Sequence, residues 1–399
     1  MRRKISDLIL KGITYLASSL SIAVLLIIIW FIFKSGISHL NWRLLVSDYN
    51  SQNYLVTLID PKPGDYQSIV KENEGSYYSV KWGIEVVDYV AADNGRYILV
   101  EALAEDSPLT KLIDNRGEPI DLQVGSAIIR LNTVDGEGNV DFIGSQIGQT
   151  AAEFITGLEK AEGIESLYFQ NLGGGIRGSL IATLWLILLS LVLAVPIGIA
   201  TAIYLNEYAK KNKVTALIRS SIETLSGIPS IIFGLMGVAV FYPITVFMGA
   251  DGLSIVLGGM TMSVILLPIV IRSTQEALAV IPVDLKDGSL ALGASTSQTI
   301  FKICLPCALP GILTGVLLSV GRVIGESAAL IYTMGTYIND KPDVLNPASS
   351  LAVQIWSIMS GEQPNFELAA AISLVILMMV FVLNFTVKLI SKKLSKAWY

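Results

Sequence analysis

The run "LPGILTGVLLSVGRVIGESAALI", Leu309 to Ile331, is long and apolar enough to cross a membrane, yet it contains two charged residues. Arg322 and Glu326 lie four positions apart, so on a continuous helix they would share one face and partly neutralise each other. An ionisable side chain inside a membrane costs about 2.5 to 3.5 kcal/mol and nearly always faces protein or a water-filled cavity. The sequence therefore predicts a membrane helix whose charged face points into a bundle.

The composition of the whole chain agrees with a membrane protein. Of the 399 residues, 52% are hydrophobic and only 15% are charged, which is typical of chains that cross a membrane several times. A bilayer core about 30 Å thick needs about 20 apolar residues per helix. Five further windows without a charged side chain meet this requirement: Ile13–Phe33, Ile181–Leu205, Ile228–Met248, Leu253–Ile271 and Leu368–Val387. The sequence therefore predicts six membrane helices.

Basic residues predict the orientation of these helices. They cluster before the first window, between the second and third, between the fourth and fifth, and after the sixth. The positive-inside rule then places both termini in the cytoplasm and residues 40–175 outside a plasma membrane. The basic N-terminus precedes an apolar run too long for a cleaved signal, so we expect a retained anchor. The net charge of −5 argues against nucleic acid as a partner.

Residues 40–175 break the membrane pattern and predict a β-rich external domain inserted between the first and second helices. Short runs such as "RYILVEAL" and "SAIIRLN" alternate with clusters of Asp, Glu, Asn and Gly. The segment is long enough to bury one small core. We therefore expect three regions: residues 1–39 with the first helix, residues 40–175 as the external domain, and residues 176–399 as the remaining bundle.

Part of the external segment resembles a PDZ domain. The order "WGIEVVDYV", "YILVEALAEDSPLTKLI", "VGSAIIRLNTVD", "GQTAAEFITGLEKA" and "IESLYFQN" is similar to the strands and helices of that family over residues 78–171. PDZ domains bind an extended peptide as an added strand and hold its carboxylate on backbone N–H groups. The resemblance implies a carboxylate loop at Trp82, Gly83 and Ile84. A spacer or docking domain that binds no peptide is the alternative.

The segment between the fourth and fifth windows carries a second motif. In "RSTQEALAVIPVDLKDGSLALGASTSQTIFKICLP" a glycine is followed by nine residues and then by Ile-x-Leu-Pro. This spacing resembles the EAA loop of ABC importer permeases, whose short helix docks on a cytoplasmic ATPase. The resemblance implies a coupling loop over residues 272–308. Its candidate coupling residues are Asp287, which stands where the family has Glu, with Gly293, Ile303, Leu305 and Pro306.

Longer stretches are similar to one branch of that family. "LAVPIGIATAIYLNEYA", "IETLSGIPSIIFGL", "GRVIGESAALIYT" and "LAVQIWSIMSG" resemble the A-type permease subunit (PstA) of phosphate ABC importers. The resemblance implies an all-α polytopic membrane protein with the six-helix type I importer permease fold. It also implies these partners: a homologous C-type permease subunit, two copies of a cytoplasmic ATPase, an external phosphate-binding protein and membrane lipid.

The chain offers no candidate for covalent chemistry. It lacks the G-x-x-x-x-G-K-[ST] motif that cradles nucleotide phosphates, so we expect ATP and magnesium on the partner ATPase and no cofactor on this chain. With one histidine and no H-E-x-x-H motif, it predicts neither a catalytic site nor a metal site. We therefore expect a transport subunit and not an enzyme.

Three charged residues are candidates for the substrate pathway. The planar donors of Arg322 suit phosphate oxygens, and Glu326 would hold the guanidinium until phosphate competes for it. Arg272 is a candidate on the exit side. The alternatives are a purely structural ion pair and an interfacial anchor at Arg272. For the whole chain, the alternatives are a permease for sulfate or molybdate and a membrane-anchored peptide sensor.

Overall fold

The computed structural model describes residues 2–60, 62–66, 75–90, 95–210, 212–361 and 364–398. These residues form two compact units, residues 1–49 with 175–399, and residues 50–174. The first five helices are α1 (Arg2–Gly36), α2 (Trp42–Val46), α3 (Ala151–Lys160), α4 (Arg177–Ile203) and α5 (Lys213–Gly227). The next four are α6 (Ser230–Phe247), α7 (Ile255–Ala279), α8 (Val283–Ala291) and α9 (Thr296–Thr299). The last four are α10 (Leu305–Gly325), α11 (Ala328–Thr333), α12 (Leu351–Ser360) and α13 (Phe366–Trp398).

The described residues contain six helical segments long and apolar enough to cross a membrane, which confirms the predicted number. They are Leu10–His39, Arg177–Tyr208, Ser230–Phe247, Ile255–Ala279, Thr296–Gly325 and Phe366–Ser391. Two of them contain a π-helical segment, Tyr204–Tyr208 after α4 and Ile300–Cys304 before α10. The fifth span ends at Gly325, so the predicted window, which runs to Ile331, continues past the end of the helix.

The centre of the membrane unit is built where α4 and α7 pack closely. Glycines permit the approach, because a Cβ on Gly198 would lie 2.6 Å from a side-chain carbon of Val270. Likewise, a Cβ on Gly259 would lie 2.8 Å from the Cβ of Leu189. Small residues serve this purpose in membrane bundles, where close van der Waals packing drives helix association. The buried side chains around this contact are those of Leu186, Met262, Leu266, Val323, Leu330 and Met334.

The outer part of the same unit includes α2, which the sequence pattern groups with the external domain. Leu44 on α2 is buried in a cluster with Ile176, Leu351 and Ile372. The side chain of Asn41 caps α2 by accepting a hydrogen bond from the backbone N–H of Leu44 at 2.7 Å. The described structure therefore assigns residues 42–46 to the membrane unit.

Residues 50–174 form an antiparallel sheet with α3. The first five strands are β1 (Gln52–Leu58), β2 (Ser76–Ser79), β3 (Ile84–Val90), β4 (Arg96–Leu103) and β5 (Leu112–Asp114). The others are β6 (Pro119–Ile120), β7 (Ser126–Val134), β8 (Val140–Ile143) and β9 (Gly163–Asn171). The strand order is β2-β3-β4-β7-β9-β1-β5-β6, and β8 pairs with β7. The predicted β-rich character of this segment is confirmed.

The core of this domain lies between the sheet and α3. The apolar face of α3 has helical spacing, and Ala151, Phe154, Ile155 and Leu158 are all buried in it. A capping box begins the helix, because Thr150 and Glu153 each accept a hydrogen bond from the other's backbone N–H. Side chains from the strands and from the β2–β3 turn complete the core, including Phe169 on β9 and Trp82 in the turn.

Candidate functional site

Arg322 and Glu326 form an ion pair at the end of the fifth span. The Nη2 atom of Arg322 lies 3.2 Å from Oε2 of Glu326. The two side chains differ in burial, because 46% of the arginine is exposed and only 6% of the glutamate. The structure thus brings together the two charges that the sequence singled out, with the cation on the accessible side of the pair.

The helix ends inside this motif. The sequence predicts Glu326 on a continuous helix with Arg322, but α10 ends at Gly325 and Glu326 has an extended backbone with φ −80° and ψ 128°. The Oε1 atom of Glu326 then accepts a hydrogen bond from the backbone N–H of Ala329 at 3.4 Å, in the first turn of α11. The carboxylate therefore joins the guanidinium to the start of the next helix.

Arg272 has a different acidic partner from that of Arg322. It lies within α7, and its Nη2 atom is 3.5 Å from Oε1 of Glu223 on α5. Both side chains are at least half exposed, so the pair contributes little to stability. Arg272 stays a predicted pathway residue.

The predicted coupling loop is largely helical. Asp287 lies within α8, and Gly293 follows the end of this helix with a positive φ of 87°. Gly293 donates its N–H to the carbonyl of Leu290 at 3.0 Å, which closes the last turn. Ile303 lies in the π-helical segment Ile300–Cys304, and Leu305 and Pro306 begin α10. The Gly-x9-Ile-x-Leu-Pro motif thus runs from the end of α8 to the start of the fifth span.

Sequence reasoning missed one charged contact near this loop. Lys286 on α8 lies 2.6 Å from Glu207, in the π-helical segment that ends the second span, measured from Nζ to Oε1. In the sequence Lys286 counts only as one basic loop residue, and Glu207 has no assigned role. The sequence gives one indication of this contact, a single glutamate at the end of an apolar span. It does not indicate the partner, which is 79 residues away.

The predicted carboxylate loop, Trp82, Gly83 and Ile84, joins β2 to β3. Trp82 and Ile84 are fully buried. The N–H of Gly83 donates to the carbonyl of Ser79 at 2.8 Å, and the N–H of Trp82 donates to Oγ of Ser79 at 3.3 Å. Two of the N–H groups expected to hold a peptide carboxylate therefore already have partners in the chain.

The edge of β3 beside this loop is also occupied. β2 runs antiparallel to β3, with Ser76 opposite Val87 and Ser79 opposite Ile84. The hydroxyl of Ser79 donates to the carboxylate of Glu159 on α3, and Trp82 Nε1 donates to the carbonyl of Leu158 at 3.0 Å. A peptide could pair with β3 here only if β2 moved. The peptide site at Trp82, Gly83 and Ile84 is not tested by these contacts, but they favour the alternative of a domain that binds no peptide.

Tyr78 on β2 adds to the polar contacts of this hairpin. Its hydroxyl donates to the carbonyl of Tyr66. Burial raises the pKa of Tyr78, and the nearby carboxylates of Glu85 and Asp65 raise it further. Tyr78 is therefore a neutral hydrogen-bond donor at physiological pH, and it holds residues 62–66 against the hairpin.

Metal-ligating side chains do not converge in the part of the chain that the structure describes. Its histidine, cysteines and carboxylates form no group of three or more that could hold a metal ion. His39 instead lies 3.2 Å from a carboxylate oxygen of Glu367.

Comparison with known proteins identifies relatives that match part of this chain. A probable ABC transporter permease protein (YqgI) of Bacillus subtilis is 34% identical over 62% of this chain and 87% of that protein. A phosphate transport system permease protein (PstA 2) of Mycobacterium bovis is 32% identical over 53% of this chain and 71% of that protein. Among solved structures, an inward-facing MetNI methionine ABC transporter has a TM-score of 0.45 and 22% identity over 55% of this chain and 95% of the other.

Residues 194–397 match the family described as binding-protein-dependent transport system inner membrane component. The matched region begins in α4 and extends through the coupling loop, the Arg322–Glu326 pair and α13. It is just over half of the chain. This chain is therefore a multi-pass transport subunit, and it belongs to the family of binding-protein-dependent ABC transporter permeases.

Proposed function

We propose that this permease subunit forms part of the pathway through which an ATP-driven importer takes up inorganic phosphate. Relatives named as phosphate permeases support this substrate, since several are 30 to 34% identical over more than half of this chain. The family match over residues 194–397 includes the end of the fifth span, where Arg322 and Glu326 form their ion pair. Phosphate is thus assigned to this chain from the names of its relatives.

The observation that carries the proposal is the asymmetry of the Arg322–Glu326 pair. Glu326 is buried and fixed by the N–H of Ala329, whereas the guanidinium of Arg322 is about half exposed. Guanidinium presents planar paired donors that match phosphate oxygens. Phosphate could therefore compete for Arg322 while Glu326 keeps its place. In this proposal Glu326 orients the guanidinium of Arg322 before phosphate arrives. After phosphate leaves, the guanidinium pairs with Glu326 again.

The partners follow from the same proposal. A homologous C-type permease subunit would complete the pathway, two ATPase copies would bind ATP and magnesium, and an external binding protein would deliver phosphate. The helix α8 would contact the ATPase through the segment around Asp287. Residues 50–174 would lie outside the membrane, in agreement with the loop charges. Arg272 would line the exit side.

The experiment is an ATPase measurement on the assembled complex in lipid nanodiscs. The binding protein is added without anion, or loaded with phosphate, sulfate or molybdate. We expect only the phosphate-loaded protein to stimulate hydrolysis, because delivery of the correct substrate should trigger the cycle. If sulfate or molybdate stimulates hydrolysis and phosphate does not, that anion is the substrate and phosphate is not. Failure of all three to stimulate a complex that does bind ATPase would refute oxyanion import altogether.

A further inference from the structure

The contact between Lys286 and Glu207 joins two elements that are far apart in the sequence. Lys286 lies on α8, the helix between the fourth and fifth spans, and Glu207 lies in the segment Tyr204–Tyr208 that ends the second span. Their Nζ and Oε1 atoms are 2.6 Å apart. Only 24% of the lysine side chain and 13% of the glutamate side chain are exposed. A pair this close and this little exposed is screened less than a surface ion pair.

The surroundings of Glu207 hold it in place. The guanidinium of Arg219 on α5 donates to the carbonyl of Leu205, one of the carbonyls at the end of the second span. Tyr208 contacts Ser297 on α9, with 3.1 Å between the two hydroxyl oxygens. The π-helical end of this span is therefore fixed on two sides, so Glu207 approaches Lys286 from a defined position.

The surroundings of Lys286 are fixed as well. One turn after it, Ser289 is buried on α8 and its hydroxyl lies 2.9 Å from that of Thr299 at the end of α9. The helix α8 is thus held to the segment that leads into the fifth span, while the lysine holds the same helix to the second span. The chain itself connects α8 to α7 and, through α9, to α10. The charged contact of Lys286 adds a connection from α8 to the second span, which does not adjoin α8 in the sequence.

We propose that Lys286 and Glu207 are positioning residues that tie the coupling helix α8 to the second span. ATP-driven movement of α8 would then reach α4 directly, and α4 packs along α7 through the close contacts at Gly198 and Gly259. Without the pair, the movement would still reach α4 through α7, through α10 and through the contact of Tyr208 with Ser297, so transmission should weaken but not stop. This inference rests on α8 being the helix that contacts the ATPase, which is part of the proposed function, but it does not depend on which anion is carried.

The test compares Lys286→Met, Glu207→Gln and the exchanged pair Lys286→Glu/Glu207→Lys in the assembled complex. Lys286→Arg is the conservative variant, and Lys213→Met, which removes an exposed cation at the start of α5, is the matched control. Three quantities are measured: ATPase bound per permease, the rate of ATP hydrolysis, and substrate taken up per ATP hydrolysed. Only the third reports on transmission of movement.

We expect both single neutral variants to bind ATPase and hydrolyse ATP but to lose several-fold in uptake per ATP. Lys286→Arg and the exchanged pair should recover most of that loss, and Lys213→Met should match the wild type. Unchanged uptake per ATP with less assembled complex would overturn the inference and leave the pair a structural contact. A wild-type chain that binds no ATPase would refute the role of α8, and with it both this inference and the proposed importer. A wild-type complex that couples ATP to another anion would change only the substrate.

Discussion

Arg322 and Glu326 face each other across the end of a helix, with 3.2 Å between Nη2 and Oε2, and the anion is the buried member of the pair. Because of this difference in burial, we expect the loss of Arg322 and the loss of Glu326 to have different costs in stability. Removing the arginine would leave a carboxylate that is 6% exposed without its cation, whereas removing the glutamate would leave a guanidinium that is half exposed. An uncompensated buried charge costs several times more than an exposed one.

The first prediction uses this inequality. Arg322→Gln should abolish phosphate uptake, because the amide keeps hydrogen bonding but loses the charge that attracts the anion. It should also reduce the amount of assembled complex, because leaving the buried Glu326 without its cation costs up to about 3 to 5 kcal/mol of stability. Glu326→Gln should impair uptake with a smaller loss of complex. The measurement is uptake per assembled complex, with complex quantified by co-purified ATPase.

The double variant Arg322→Gln/Glu326→Gln separates transport from structure. Since it leaves no unpaired charge, the complex should assemble more fully than with Arg322→Gln alone. Uptake should stay low, because no cation remains for phosphate. Near-normal uptake in the double variant would show that the pair only connects α10 to α11.

A second prediction concerns the end of the coupling helix. Gly293 has a φ of +87°, which an L-residue adopts at a cost of about 1 to 2 kcal/mol, although no atom lies within 4 Å of an added Cβ. Gly293→Pro should be worse than Gly293→Ala, because proline cannot adopt this φ and removes the N–H that bonds to Leu290. Both variants should reduce ATPase binding or uptake per ATP.

Gly288 within α8 provides the matched control. A methyl group added there would also meet open space, but the position is helical, so Gly288→Ala should stabilise α8 by about 1 kcal/mol. ATPase binding should be kept or strengthened in this variant. Normal coupling in Gly293→Pro would count against a docking role for this turn.

The third prediction tests close packing between α10 and α7. A Cβ on Gly315 would lie 1.8 Å from Oγ and 2.5 Å from Cβ of Ser273, so rotation of the serine side chain cannot relieve the clash. Gly315→Ala should cost about 1 to 3 kcal/mol in overpacking. Gly321→Ala on the same helix meets no atom within 4 Å and should be tolerated. The thermal midpoint of the purified protein, measured for both variants, would show the difference.

Restoring the space at α7 completes this test. Ser273→Gly removes both clashing atoms, so Gly315→Ala/Ser273→Gly should recover part of the lost thermal stability. If Gly315→Ala melts at the wild-type temperature, α10 and α7 do not pack this closely in the folded protein.

The fourth prediction concerns the external domain. Because β2 covers the edge of β3 and Ser79 occupies the N–H groups of Trp82 and Gly83, we expect the full-length protein to bind no peptide through a free carboxylate. Fluorescence anisotropy of a labelled peptide with an apolar C-terminal residue would test this, with its amidated twin as the control. Saturable binding of the free acid alone would mean that β2 leaves the groove in solution.

The membrane spans could be predicted because hydropathy is a local property of the sequence. The end of the fifth span could not, since "RVIGESAAL" contains no proline and only Gly325 marks the break. At that break the side chain of Glu326 accepts a hydrogen bond from the N–H of Ala329, a contact that hydropathy does not predict. The coupling loop that contains α8 could be predicted, because the spacing between Gly293 and Pro306 is a local feature of the sequence. It does not depend on contacts between distant residues.

Contacts between distant segments could not be predicted, because local sequence patterns do not show which segments pair. The quoted β-rich runs correspond to β3, β4, β7 and β9, but β1 lies outside the segment that resembles a PDZ domain. It pairs with β9, with Val56 opposite Leu167, across more than 100 residues of sequence. The pairing of β2 with β3 likewise follows from a turn at Trp82 and Gly83, where the resemblance to PDZ domains implies a loop that binds a peptide carboxylate.

The most direct test of the central claim is uptake of radiolabelled phosphate into proteoliposomes that contain the complete complex, with the binding protein outside and ATP available to the ATPase. We predict ATP-dependent accumulation that excess unlabelled phosphate suppresses and that equal sulfate or molybdate leaves unchanged. A complex with Arg322→Gln should accumulate none above the level without ATP. Accumulation that sulfate or molybdate suppresses as strongly as phosphate does, or that continues undiminished in Arg322→Gln, would contradict a phosphate pathway at Arg322.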